Sequence, residues 1–235
     1  MEQLIVSSVF FLAIHLLVSG TRWRDGITAS IGEGPYMGLF SLASIGGIVW
    51  MAAAYNAALL GDNPLLWDLG EGPRHSGSLV MLIAFLFVVP GLLAPNPTAV
   101  GQSALAGRPD IVTGMLRITR HPFLWGVAIW AGFHLAANGD TASAIFFGTF
   151  LVLAVLGTFS IDAKRRRRDP DQWKGFAAAS SNIPFAAILL GRTRLVMSQL
   201  LGWRQLVTIL VFLAVMFTHH IVFGVSPFPG SWVPF

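Results

Sequence analysis

The sequence contains no cysteine in 235 residues, which removes disulfides, thiolate-held metal centres and cysteine nucleophiles from consideration at once. Charge is nearly as scarce: Asp, Glu, Lys and Arg make up 11% of the chain, against about 25% in an ordinary soluble domain. No acidic residue falls inside the apolar runs as they read from the sequence. Carboxylate proton relays and carboxylate-bridged di-iron sites therefore have nothing to stand on, and histidine is left as the only ionisable type expected in the interior. Four familiar motifs are missing as well: the GxSxG elbow, the P-loop, HExxH and GxGxxG.

What is present is apolar. Hydrophobic residues account for 54% of the sequence, and the mean hydropathy is +0.69, a membrane composition. A net charge of +4 could suggest a nucleic-acid partner, but the basic residues lie in short segments between apolar runs. They read as an orientation signal, with the lipid bilayer as the partner and no nucleic acid. The first apolar run has neither a basic segment before it nor a small-residue cleavage site after it, so a retained helix is expected rather than a signal peptide.

Six runs approach the roughly 20 helical residues needed to cross about 30 Å of hydrocarbon: residues 4–19, 36–60, 76–94, 122–137, 141–161 and 203–223. The first and fourth are short and need a turn from their flanks or a thinned bilayer. With the N-terminus outside, 14 of the 15 basic residues fall on one side, which the positive-inside rule makes cytoplasmic; Arg74 alone faces the other way. The expectation is an all-α, polytopic membrane helix bundle, one domain over residues 1–235. It has six transmembrane helices, both termini periplasmic, in a bacterial inner membrane.

Two cytoplasmic segments exceed plain connectors. Residues 95–120, rich in Pro and Gly, are long enough to expect a structured and functional loop. Residues 169–192 begin with Asp169 as a candidate N-cap and Pro170 at the first helical position. Trp173, Phe176 and Ala177 then share a face, as in a helix lying at the membrane interface. Residues 183–190 are too short to span and are expected to dip in and return. Gly46, Gly47, Ala43 and residues 52–54 give the second span a small face, and Gly126, Ala128, Ala131 and Gly132 give the fourth one, which suits close helix packing.

The histidines carry the chemistry, and each has two readings. His15, deep in the first span, either bonds a neighbouring helix or ligates a metal, and His134 near the end of the fourth is the same case. His75 sits near the outer surface, where solvation accounts for it. His121 precedes Pro122 at a helix start, so Arg117, Arg120 and His121 make either an anion site or an interfacial anchor. His219 and His220 are adjacent, so at most one points into the bundle. With imidazole alone, the sites left open are bis-histidine haem, histidine-ligated copper or iron, or none.

Long strings carry a resemblance. Trp23–Arg24–Asp25, the run IGEGPYMGLFSLAS at 31–44, Pro73–Arg74–His75, TRHPFLWGVAIWAGFHLAANGD at 119–140 and SSNIPFAAILLGR at 180–192 resemble the NnrU family of bacterial membrane proteins. The family name implies an association with nitrite and nitric oxide reduction, and with it an accessory role beside a nitric oxide reductase complex. That family is similar to the zeta-carotene isomerases, which use haem b. The resemblance implies His15 and His134 as axial ligands and His121 as the histidine of the His-Pro. A cysteine of those enzymes, three residues before the second ligand, is Ala131 here, which puts thiolate ligand exchange and isomerase activity in doubt. Helix rise separates His15 and His134 in depth by about 10 Å, so a tilted porphyrin is required. The alternatives are His134 with His75 or His219 on the outer side, and His15 with His121 on the inner. The Arg-His-Pro string followed by Gly126, with Ile183–Pro184–Phe185 downstream, is also similar to isoprenylcysteine and phospholipid methyltransferases. There the implied cofactor is S-adenosylmethionine, near His121 and Arg120. The acidic pair of those enzymes is here split by Pro170 into Asp169 and Asp171. A third reading is a cofactor-free assembly factor.

Overall fold

The computed structural model describes residues 1–228, and every regular element among them is helical. In chain order the helices are α1 (Glu2–Leu12), continued by a wider π-helical turn (Ala13–Val18), α2 (Arg22–Ile31), α3 (Glu33–Leu59) and α4 (Gly72–Leu93). A 3-10 turn (Ser103–Gly107) precedes α5 (Met115–Ile118), α6 (Pro122–Ala137), α7 (Thr141–Arg168) and α8 (Pro170–Ala179). The chain continues with α9 (Ala186–Leu189), α10 (Met197–Leu200) and α11 (Trp203–Phe223).

All six apolar runs are helices. Four segments, Glu33–Leu59, His75–Leu93, Thr141–Arg168 and Trp203–Phe223, are each long and apolar enough to cross a membrane. Glu2–Val18 qualifies only together with Arg22–Ile31, from which it is bent by 80°. At 16 residues α6 rises only about 24 Å, short of a full crossing. Large apolar side chains point outward along these helices, among them Leu39, Leu42 and Val49 on α3 and Leu206, Leu210 and Ile221 on α11. Such continuous apolar exposure calls for a non-aqueous surround.

Three boundaries differ from the sequence reading. Residues 22–31, which lie between the first two apolar runs, form α2, whose N-cap Thr21 accepts from the Trp23 backbone N–H. The second apolar helix begins at Glu33 rather than 36. The fifth runs to Arg168, not 161, so the basic run is helical and its charge sits at a helix C-terminus, where the macrodipole favours cations. The extension brings Asp162 into the bundle. The expectation that histidine is the only buried ionisable type is therefore wrong: Asp162 and Arg24 are both buried. A helix, α8, forms where the interfacial helix is expected, but its Trp173 and Phe176 are buried in protein rather than turned to lipid. They pack with Ala106, Ile111 and Leu116 of the 95–120 segment, because that segment supplies an apolar cover nearer than the bilayer.

Two packing centres hold the long helices. Leu4, Phe11, Met51, Ala54, Ala58 and Ala142 join α1, α3 and α7. Between α4 and α6 the backbones come close enough that a Cβ on Gly126 would meet the Ala84 carbonyl oxygen at 2.8 Å and Val88 Cγ2 at 2.5 Å. The small face expected on residues 122–137 is thus used, with Gly126, Ala128 and Ala131 buried. On the second apolar helix Gly47 packs beneath Phe10 and Phe11, whereas Gly46 faces open space. At one end of the bundle the 61–71 loop is tied down: Leu66 and Trp67 N–H groups donate to the Gly139 carbonyl, and Asn63 donates to Asp140, which caps α7 through the Ser143 N–H. The other end carries the basic residues and the 95–120 and 180–200 segments.

Candidate functional site

His15 lies within the π-helical turn Ala13–Val18. Such single-turn widenings of a helix recur at functional sites. Its Nδ1–H donates to the Phe11 carbonyl at 2.8 Å, which fixes the tautomer and leaves the Nε2 lone pair available. Ser44 Oγ stands 3.5 Å from Nε2 while donating to the Phe40 carbonyl, and the imidazole is held between the rings of Phe11 and Phe40 at 4.4 and 5.1 Å. His15 opens onto a cavity of about 520 Å³ whose wall comes from five helical segments and is mostly apolar: Ile48, Phe85, Val88, Val127, Trp130 and Phe150 among others. The polar groups on that wall gather towards the basic end, at His15, Ser19, Ser160 and Lys164.

His134 is prepared in the same way but stands elsewhere. Its Nδ1–H donates to the Trp130 carbonyl at 2.9 Å, and its ring stacks on Phe147 at 4.9 Å. It does not line the His15 cavity, whereas the neighbouring Trp130 does. Ring contacts lead from His15 through Phe11, Phe150 and Trp130 to His134. The structure thus gives both imidazoles the hydrogen bonding of a metal ligand, since a donated Nδ1–H raises the basicity of Nε2, but brings only His15 to the cavity. One imidazole with a free Nε2 is thus the nitrogen donor that the cavity wall offers to a metal-bearing group. His134, the second ligand implied by resemblance, stands behind Trp130. His219, held by its own contact to the Val225 carbonyl at 2.7 Å, is within electrostatic reach of His134. His75 is exposed at the start of α4. Among the described residues no group of three or more His, Asp or Glu could hold a metal ion.

The Arg-His-Pro string builds a different object. His121 is fully buried, and its Nε2–H donates to Asp162 Oδ1 at 2.6 Å, with Nδ1 left buried and unpartnered. Burial, offset in part by that carboxylate, pushes the His121 pKa down, so the ring is neutral. Arg120 Nε and Nη2 both reach Asp162 Oδ2 at 3.0 Å, its Nη1 meets the Ala177 and Ser180 carbonyls, and its guanidinium covers Trp173. Asn182 Nδ2 reaches the same carboxylate at 3.4 Å. The Arg120 carbonyl in turn accepts from Thr98, and the Asn182 carbonyl accepts from Thr119 and from Trp125 Nε1. One carboxylate on α7 therefore ties together the start of α6, the loop after α8 and the 95–120 segment. Neither His121 nor Arg120 lines the His15 cavity or the second, about 760 Å³, between α4, α11 and the 108–116 segment. Both side chains are committed to Asp162.

The sequence reading missed Asp162, Asn182, Ser44 and Lys164. Asp162 had a signal: it sits four residues after Thr158, a second buried polar residue on the same face of α7. Ser44 and Asn182 had none, because their roles depend on helices brought together by the fold.

The family model described as "NnrU protein" matches residues 3–227. Two relatives are the chloroplastic 15-cis-zeta-carotene isomerases of Arabidopsis thaliana and Zea mays. The first is 29% identical over 136 residues, 56% of this chain and 36% of that protein. The second is 23% identical over 195 residues, 82% of this chain and 52% of that protein. The chain thus spans about half, or less, of the length of these relatives. No solved structure matches.

Proposed function

This chain belongs to the NnrU family, and from that membership we propose that it is a six-span membrane protein that takes an elongated apolar molecule into the His15 cavity. The chemistry proposed is isomerase-like or redox chemistry at haem b, in a bacterial inner membrane with both termini periplasmic. The observation that carries the reading is the cavity itself: about 520 Å³ of apolar space between helices, with one tautomer-fixed imidazole on its wall. Similarity to isomerases named for a long polyene supports an elongated, unsaturated occupant. Haem b, when bound, supplies a redox-active iron. His15 would hold it from the cavity wall and His134 is the second candidate ligand, while Phe11 and Phe40 keep the His15 ring in place.

The test is a reduced-minus-oxidised spectrum of protein purified from haem-replete cells. A b-type signal is expected, abolished in His15→Ala and converted to a single-histidine spectrum in His134→Ala. Colourless protein overturns the haem reading; colour unchanged in His15→Ala overturns its assignment to this cavity. A supporting role beside a nitric oxide reductase complex belongs to the same proposal, and co-purification of that complex with the tagged chain checks it.

A further inference from the structure

The basic end of the His15 cavity contains more positive charge than the fold uses. Lys164 lines the cavity, and its Nζ donates to the Ser19 carbonyl at 3.5 Å. Among the described residues it makes no ion pair. Arg24, Arg165 and Arg168 act on it electrostatically from α2 and from its own helix, with Asp25 opposing them. The carboxylates nearby are largely engaged elsewhere: Glu33 pairs with Arg24, and Asp25 lies 3.8 Å from Arg168.

Donors at this end are also left over. Arg24 is only 6% exposed, yet its Nη1 has no partner, and the same holds for the buried Arg165 Nε and the Tyr36 hydroxyl. A buried donor without an acceptor costs about 1–3 kcal/mol, more when charged, and groups of them point to an absent acceptor. The cluster adjoins the cavity. Arg24 lies over the Tyr36 ring, Tyr36 stacks on Phe40, and Phe40 meets His15 on the cavity wall. A close approach at Gly20, where a Cβ would stand 2.4 Å from Ser160 Oγ, brings the end of the first helix against α7 beside Lys164.

We propose that this end is an anion site, and that the cavity takes an amphiphile bearing one carboxylate or phosphate on a long apolar body. Lys164 meets the anionic head, and the apolar body runs along Val127, Trp130 and Phe150. The inference rests on the reading of the cavity as a ligand chamber, and is independent of the iron.

Fluorescence titration with cis-parinaric acid and with its methyl ester tests it, using full-length protein in neutral detergent. Both probes are expected to bind, the acid about tenfold more tightly, as one charge-assisted contact implies. The preference disappears in Lys164→Met and survives in Lys164→Arg, while ester binding stays unchanged in both and so reports an intact cavity. If neither probe binds, the chamber reading fails and this inference with it. Equal binding of acid and ester by the unaltered protein overturns the anion site alone. An acid preference that persists in both Lys164→Met and Arg24→Met overturns its placement. Displacement of bound acid by oleate or by single-chain lysophosphatidic acid then distinguishes a carboxylate head from a phosphate head.

Discussion

Asp162 is the residue on which the basic end depends most. It accepts from Arg120, His121 and Asn182, which reach it from two segments far apart in the chain, the start of α6 and the loop after α8. Replacing it with Ala leaves a buried guanidinium without its carboxylate and a buried imidazole without its acceptor. Removing one partner of such a pair costs about 3–5 kcal/mol. Asp162→Ala is therefore expected to lower the unfolding midpoint in mixed micelles sharply, while Asp162→Asn, which keeps an acceptor, loses less. The neutral state of His121 adds a pH dependence. Its folded pKa is depressed, chiefly by burial, so the unfolded chain binds the extra proton first as pH falls. The contribution is whole above the ordinary imidazole value, about 6.5, and is lost progressively below it. Between pH 7 and 5 the stability of the unaltered protein should fall more steeply than that of His121→Gln. Parallel curves would show that His121 does not titrate with unfolding.

At this scale the sequence was legible only where a residue's partner was local. His15 and His134 stand out because an imidazole in an apolar run is rare, and both donate to a carbonyl four residues back on the same helix. The Asp162 hub joins residues 41 and 20 positions away. Hydropathy treats Asp162 as the end of a span, and nothing short of the fold shows that Arg120 and His121 meet there rather than facing headgroups or an anion.

The helices themselves were largely readable, since apolar length and the Pro and Gly punctuation mark them. Their ends were less so, because a helix with basic residues at its C-terminus continues past the last apolar residue, as α7 does to Arg168. The packing of α4 on α6 follows from small residues in both. Gly91 would place a Cβ 2.6 Å from the Phe123 backbone nitrogen, and Gly126 would place one against the α4 backbone. Backbone cannot move aside as a side chain can. Gly126→Leu should separate the two helices, cost about 1–3 kcal/mol or more, and open the cavity wall formed by Val88 and Val127. The check is loss of parinaric methyl ester binding together with a lowered melting midpoint; Gly132→Ala, where the nearest atom to a new Cβ lies 3.8 Å away, should show neither.

For the whole molecule, the segregation of charge is the strongest ordering principle. Lys164, Arg165, Arg120 and Arg24 gather at one end with the structured 95–120 segment and α8, and the other end holds the short, tied loops around Asn63, Trp67 and Asp140. The positive-inside rule turns that asymmetry into an orientation. The 61–71 loop is hydrogen-bonded to Gly139 and Asp140, so α4 and α6 run between the same two ends of the bundle, and α7 carries Arg167 back to the basic end. The six-span threading therefore puts residues 61–71 and 138–140 on one side of the membrane and Arg167 on the other. The absence of cysteine makes this directly measurable. Asp62→Cys is expected to react with a membrane-impermeant maleimide in intact spheroplasts, and Arg167→Cys only after permeabilisation. Reaction of Arg167→Cys in intact spheroplasts would refute the six-span threading. It would also move the basic mouth of the His15 cavity to the outer leaflet.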